Sequence, residues 1–108
     1  MMVRIPVHSV AMFDVLRELA GNRRTITYGE LANRCGGSAI GANKPLDYIL
    51  FNICEPRGLP HLNALAVSKA RGFPGTTYQP HGHPVTRHEW EKIVGQVFAT
   101  DWSDIEFE

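Results

Sequence analysis

Residues 26–37 read ITYGELANRCGG, and this stretch decides the fold. Thr27 followed three residues later by Glu30 has the spacing of a capping box. In that motif the threonine hydroxyl accepts from the Glu30 amide, and the glutamate reaches back to the Thr27 amide. A helix over 28–35 follows, with Leu31, Ala32 and Cys35 on one face at helical spacing. Gly36 and Gly37 tolerate the positive backbone angles that stop a helix and reverse the chain. A short capped helix followed by a double-glycine turn reads as the middle of a helix-turn-helix.

The flanking sequence extends the pattern in both directions. Upstream, Ser9 is positioned to cap a helix whose apolar residues Val10, Phe13, Leu16, Leu19 and Ala20 recur at three- and four-residue steps as far as Gly21 and Asn22. Downstream, Leu46, Ile49, Leu50, Ile53 and Cys54 form a third stripe, with Asn43 as N-cap, Pro45 in the first turn and an end before Pro56. After a loop at Gly58 and Pro60, Leu62–Ser68 reads as a mostly buried strand, and Phe73–Tyr78, interrupted by Pro74 and Gly75, as an irregular edge strand. Together these two form a two-stranded wing. Gln79–Pro84 is a loop, and Thr86 with Glu89 repeats the capping spacing ahead of a helix over about 87–99. The remainder is either a short strand or an ordered tail anchored by its aromatics.

The predicted fold class is therefore α+β: a winged helix-turn-helix of three helices plus a two-stranded wing, with an additional C-terminal helix. The 108 residues make a single domain, with 8–78 as the winged-helix core and 79–108 as loop, helix and acidic tail. No apolar run approaches the roughly 18 residues of a membrane span. The N-terminus has no secretory pattern, so the expected compartment is the cytoplasm. Cys35 and Cys54 lie on apolar helix faces, where free cysteines act as small hydrophobes.

Net charge is zero, but it is unevenly spread. Residues 1–75 hold nine Lys/Arg against five Asp/Glu, a net +4, and residues 76–108 hold two against six, a net −4. The split suggests a basic body able to meet phosphates and an acidic tail folded over it as a screen.

ITYGELANRCGG, then a helix, then LPHLNALAVSKARGFPGTTY resembles the DNA-binding domain of alkylguanine DNA alkyltransferases and the non-catalytic alkyltransferase-like proteins, over roughly residues 8–78. The resemblance implies a minor-groove recognition helix and a backbone contact at Tyr28. Where that family carries Pro-Cys-His-Arg, this chain reads Pro60, His61, Leu62 and Asn63. It therefore has no thiol to become the nucleophile of alkyl transfer. Asn43 and Lys44 are the candidates for the arginine that replaces a flipped base.

The resulting expectation is a non-enzymatic binder of double-stranded DNA, with no catalytic residue, no metal and no cofactor. Its contacts are Tyr28, Arg34, Asn43, Lys44, Tyr48, Lys69 and Arg71. Asp47 opposes close approach to phosphates. The alternative is a protein-interaction module that has lost nucleic-acid binding and presents Trp90, Trp102 and Phe107 to a partner. A third reading is a histidine- or metal-dependent enzyme using His61 with His81, His83 and His88, for which the sequence offers no evident acid or thiol partner.

Overall fold

A computed structural model describes residues 6, 8–36, 43–76 and 78–106, and for Asn43 the backbone alone. Its elements are α1 (Ser9–Gly21), β1 (Ile26–Thr27), α2 (Tyr28–Cys35), α3 (Asn43–Ile49), β2 (Ala66–Val67) and α4 (Arg87–Ala99). A π-helical turn (Leu50–Cys54) and two 3₁₀ turns (Glu55–Arg57 and Leu62–Leu65) lie between α3 and β2. The architecture is α+β, with four α-helices packed around one core and a small parallel sheet. No helix among the described residues is long and apolar enough to cross a membrane.

Helix α1 runs through the centre and touches α2, α3, the Leu62–Leu65 turn and α4. Its buried face is Met12, Phe13, Leu16, Leu19 and Ala20, whereas Val10, expected inside, is exposed. Ser9 is the first helical residue rather than the cap. The cap position falls on His8, in the left-handed region at φ 72°, and the Ser9 hydroxyl donates to the Pro6 carbonyl at 2.7 Å. Helix α2 starts as expected, with Thr27 Oγ1 accepting from the Glu30 amide at 3.2 Å, and Gly36 ends it at φ 88°. Only this arm of the box is seen, because the Glu30 carboxylate turns to Arg34 at 3.7 Å. Gly37 and the side chain of Asn43, the expected cap of α3, lie outside the described residues.

The third stripe is buried throughout at Leu46, Ile49, Leu50, Ile53 and Cys54. Its backbone widens after Ile49, however, and does not stop before Pro56. The Glu55 amide bonds to the Leu50 carbonyl, and the Leu59 amide to the Cys54 carbonyl at 2.9 Å. Proline lacks an amide hydrogen, so Pro56 is accommodated in the first turn of the 3₁₀ segment, where no intrahelical bond is lost. Gly58 closes it at φ 64°.

The expected wing hairpin is replaced by a different pairing. Leu62–Leu65 is a 3₁₀ turn, and only Ala66 and Val67 are extended. They pair in parallel with β1, Ile26 opposite Ala66 and Thr27 opposite Val67. Residues 73–76 and 78 form no strand. Pro74 has no amide to give a ladder, and the Gly75 amide donates instead to Tyr28 Oη at 3.1 Å. Two backbone bonds, Ser68 amide to Phe73 carbonyl at 3.0 Å and Gly72 amide to Ser68 carbonyl at 2.8 Å, close the connecting loop.

Helix α4 carries the complete capping box: the Thr86 hydroxyl accepts from the Glu89 amide at 3.2 Å, and the Thr86 amide donates to Glu89 Oε1 at 3.0 Å. That amide, with His83 at 3.0 Å, holds the Glu89 carboxyl down at about 2. A depressed carboxylate stabilises the fold above its unfolded value of about 4.3 and ceases to do so as pH falls toward 2. Thr86→Ala is expected to lower stability by about 1 kcal/mol at neutral pH. Paired urea titrations at pH 7 and pH 3 should show the Glu89→Gln deficit shrinking in acid.

Candidate functional site

Widening the chain after α3 has a spatial result: it turns Leu50, Phe51 and Glu55 toward the loop after Pro74. A cavity of about 290 Å³ opens there, between Tyr28 of α2, Leu46 and Asp47 of α3, and His61, Asn63 and Tyr78. His61 is part of its wall. Its Nδ1 is 2.7 Å from Tyr78 Oη, and its Nε2 is 3.4 Å from Glu55 Oε1.

Burial lowers the His61 pKa, an effect Glu55 only partly offsets, so the ring is neutral at pH 7. A neutral imidazole has one donor, and the carboxylate can only accept; Nε2–H therefore faces Glu55, and Nδ1 accepts the Tyr78 hydroxyl proton. Burial also pushes the Tyr78 phenol far above its ordinary value, so it stays a neutral hydrogen-bonding group. Tyr28, likewise raised by burial against the Gly75 amide and Arg71, accepts the Gly75 amide and pins the loop to the start of α2. Desolvation raises Asp47 as well.

Asn63 stands apart from this network. It is 8% exposed, and its Oδ1 has no hydrogen-bond partner among the described residues. At the rim the opposite holds: Phe51 is 60% exposed, an unusual position for a large apolar side chain. A wider groove of about 710 Å³ adjoins on the other side of His61, between the Gly58–Pro60 loop and α4, and is lined by Leu59, Pro60, Ile93 and Gln96.

The residues expected to meet DNA stand in different settings. Tyr28 lines the cavity and holds the loop. Tyr48 is half-buried, and Arg34 pairs with Glu30. Arg71 packs its guanidinium 4.3 Å over the Phe73 ring and donates to the Val85 carbonyl at 3.4 Å. Lys44 and Lys69 are exposed. Asn43's side chain lies outside the described residues.

The aromatic partner surface is not formed. Trp90 is 9% exposed and donates to the Ala64 carbonyl at 2.8 Å. Trp102 is 4% exposed and donates to the Val97 carbonyl at 2.9 Å. Phe107 lies outside the described residues. The tail as far as Glu106 docks on α1, where Arg17 Nη1 reaches the carbonyls of Ile105 at 2.8 Å and Trp102 at 3.3 Å.

Of the histidine loop, His83 and His81 turn toward one acid, Glu89, at 3.0 and 3.9 Å, and His88 is exposed on α4. No group of three or more metal-ligating side chains occurs among the described residues. The sequence reading found no acid for His61. The structure supplies Glu55, six positions upstream, at the end of the π-helical turn. Cys54 is buried, and burial raises its thiol to about 11; burial also raises Cys35, so neither is a ready thiolate. Compared with known proteins, the chain matches no family model, no curated protein and no solved structure.

Proposed function

We propose that the protein is a non-enzymatic DNA-binding module of helix-turn-helix type, in which α2 and α3 approach the duplex and the closed 68–73 loop stands in the place of a wing. What supports the reading is the division of labour among the cations of the basic part. Arg17, Arg57 and Arg71 are engaged with carbonyls or rings of the protein itself. Arg23, Arg24, Lys44 and Lys69 are exposed to solvent, available to neutralise phosphates and release counterions.

The test is a salt titration against short duplexes, plain and carrying an alkylated guanine. Lys44→Ala and Lys69→Ala should each reduce the slope of log affinity against log salt by about 1 and weaken plain duplexes uniformly. These two variants are the informative ones, because Tyr28 and Arg71 also hold loops and their loss would confuse binding with folding. Preference for the alkylated duplex would support kinship in function with alkyltransferase-like proteins. Absence of binding at low salt would overturn the reading.

A second reading, a protein-interaction module, is favoured by one observation: the exposed ring of Phe51 at the cavity rim, now that Trp90 and Trp102 belong to the core.

A further inference from the structure

Two arginines meet where the 68–73 loop touches the start of α4, and each reaches across to the other's segment. Arg71 Nη2 donates to the Val85 carbonyl at 3.4 Å, and Arg87 Nη2 donates to the Arg71 carbonyl at 3.1 Å. Both guanidiniums also lie against one ring, their central carbons 4.3 and 5.0 Å from the centroid of Phe73. That ring is itself seated on the buried indole of Trp90. Two positive charges are therefore fixed side by side by groups that carry no charge.

Among the described residues, no carboxylate lies within ion-pair distance of either guanidinium. Glu89, the acid nearest to Arg87 in sequence, is taken by the Thr86 amide and by His81 and His83. Glu91, one turn further along α4, is exposed and forms no pair with Arg87. Each guanidinium has spent one of its five N–H donors, and Arg87 is exposed while Arg71 is half-buried. Like charges repel, and an anion that accepts from both removes the repulsion. Holding the two side chains in advance also lowers the ordering cost of binding. The contacts that keep Arg71 from being a free cation are thus what aligns it. Phosphate oxygens match the guanidinium fork, and the exposed Lys69 adds a further cation from the same loop.

We propose that Arg71 and Arg87 clamp one backbone phosphate of the duplex, so that the DNA face extends from the 68–73 loop onto the first turn of α4. This rests on the DNA reading above and adds to it a residue, Arg87, outside the helix-turn-helix.

The experiment measures the affinity of the full chain for a short plain duplex over a range of salt concentrations. The variants are Arg87→Gln, Arg87→Lys and, as a control for charge alone, Lys92→Gln at an exposed position on the same helix. Arg87→Gln is expected to weaken binding several-fold and to lower the slope of log affinity against log salt by about 1. Arg87→Lys keeps the charge but not the fork, so it should keep the slope and still lose affinity several-fold. Lys92→Gln should change neither. Titration of the wild-type chain with inorganic phosphate, followed by NMR, should shift the Nε–H signals of Arg71 and Arg87 without any substitution that could disturb the fold. Equal losses in Arg87→Gln and Lys92→Gln, or wild-type affinity in Arg87→Lys, overturns the clamp. Phosphate shifts with undiminished duplex binding in Arg87→Lys assign the pair to free phosphate and likewise overturn it. If Lys44→Ala and Lys69→Ala weaken binding and Arg87→Gln does not, the clamp falls and the DNA reading stands; no binding by the wild type at low salt removes both.

Discussion

Trp90→Ala is expected to destabilise the protein by about 3–5 kcal/mol, a large share of the roughly 5–15 kcal/mol that holds a typical domain together. Two losses combine. The indole packs between α4 and the Leu62–Leu65 turn, beside the Phe73 ring at 6.4 Å between centroids, and its truncation removes the largest side chain of that part of the core. Its Nε1 is also the donor to the buried Ala64 carbonyl at 2.8 Å, which would be left without that partner. Trp90→Phe separates the two: the ring is largely restored and the donor is not, so this variant should recover about half of the loss. Urea denaturation followed by circular dichroism measures both, and a Trp90→Ala cost below 1 kcal/mol would show that the side chain is a surface group after all.

Trp102→Ala is expected to cost nearly as much, about 3 kcal/mol, and to act through the C-terminal segment. The indole is almost fully buried and donates at 2.9 Å to the Val97 carbonyl in the last turn of α4, which also accepts from the Thr100 amide at 3.3 Å. Its loss should also release the carbonyls of Trp102 and Ile105 from Arg17. The variant would then show accelerated proteolysis or amide exchange confined to residues 100–106 before global unfolding. Because the chain holds only two tryptophans, each variant leaves a single emitter, and the two fluorescence transitions report the two sites separately.

The helices were legible because each carries its own instructions: Thr27 and Thr86 mark starts, Gly36 marks an end, and the spacing of Leu46, Ile49, Leu50 and Ile53 places the buried face. What failed was the path of the backbone where local rules are silent. The run Leu62–Val67, apolar apart from Asn63, satisfies a buried strand and a buried 3₁₀ turn equally, and periodicity cannot choose between them. Pairing β2 with β1 instead of the 73–78 segment is a tertiary decision, made because Pro74 and Gly75 cannot sustain a ladder while Tyr28 captures the amide of Gly75.

The aromatics at 90 and 102 were misread for a related reason. Both lie among acidic residues in sequence, yet the acids point outward and the rings inward. The cavity was the least visible feature. It depends on the change of helical pitch after Ile49, which brings Glu55 to His61, and on Asn63, whose type gives no hint that its oxygen goes unpaired.

The small parallel sheet also dictates an order of events. Ile26 meets Ala66 forty residues further along, so the pairing requires closure of a long loop whose entropic cost the few bonds of two short strands cannot offset alone. The sheet therefore forms only once α1, α2 and α3 have condensed, and it reopens only when they come apart. Backbone amides of the paired residues should consequently exchange with solvent at the rate of whole-molecule unfolding, making this two-rung ladder a direct gauge of global opening.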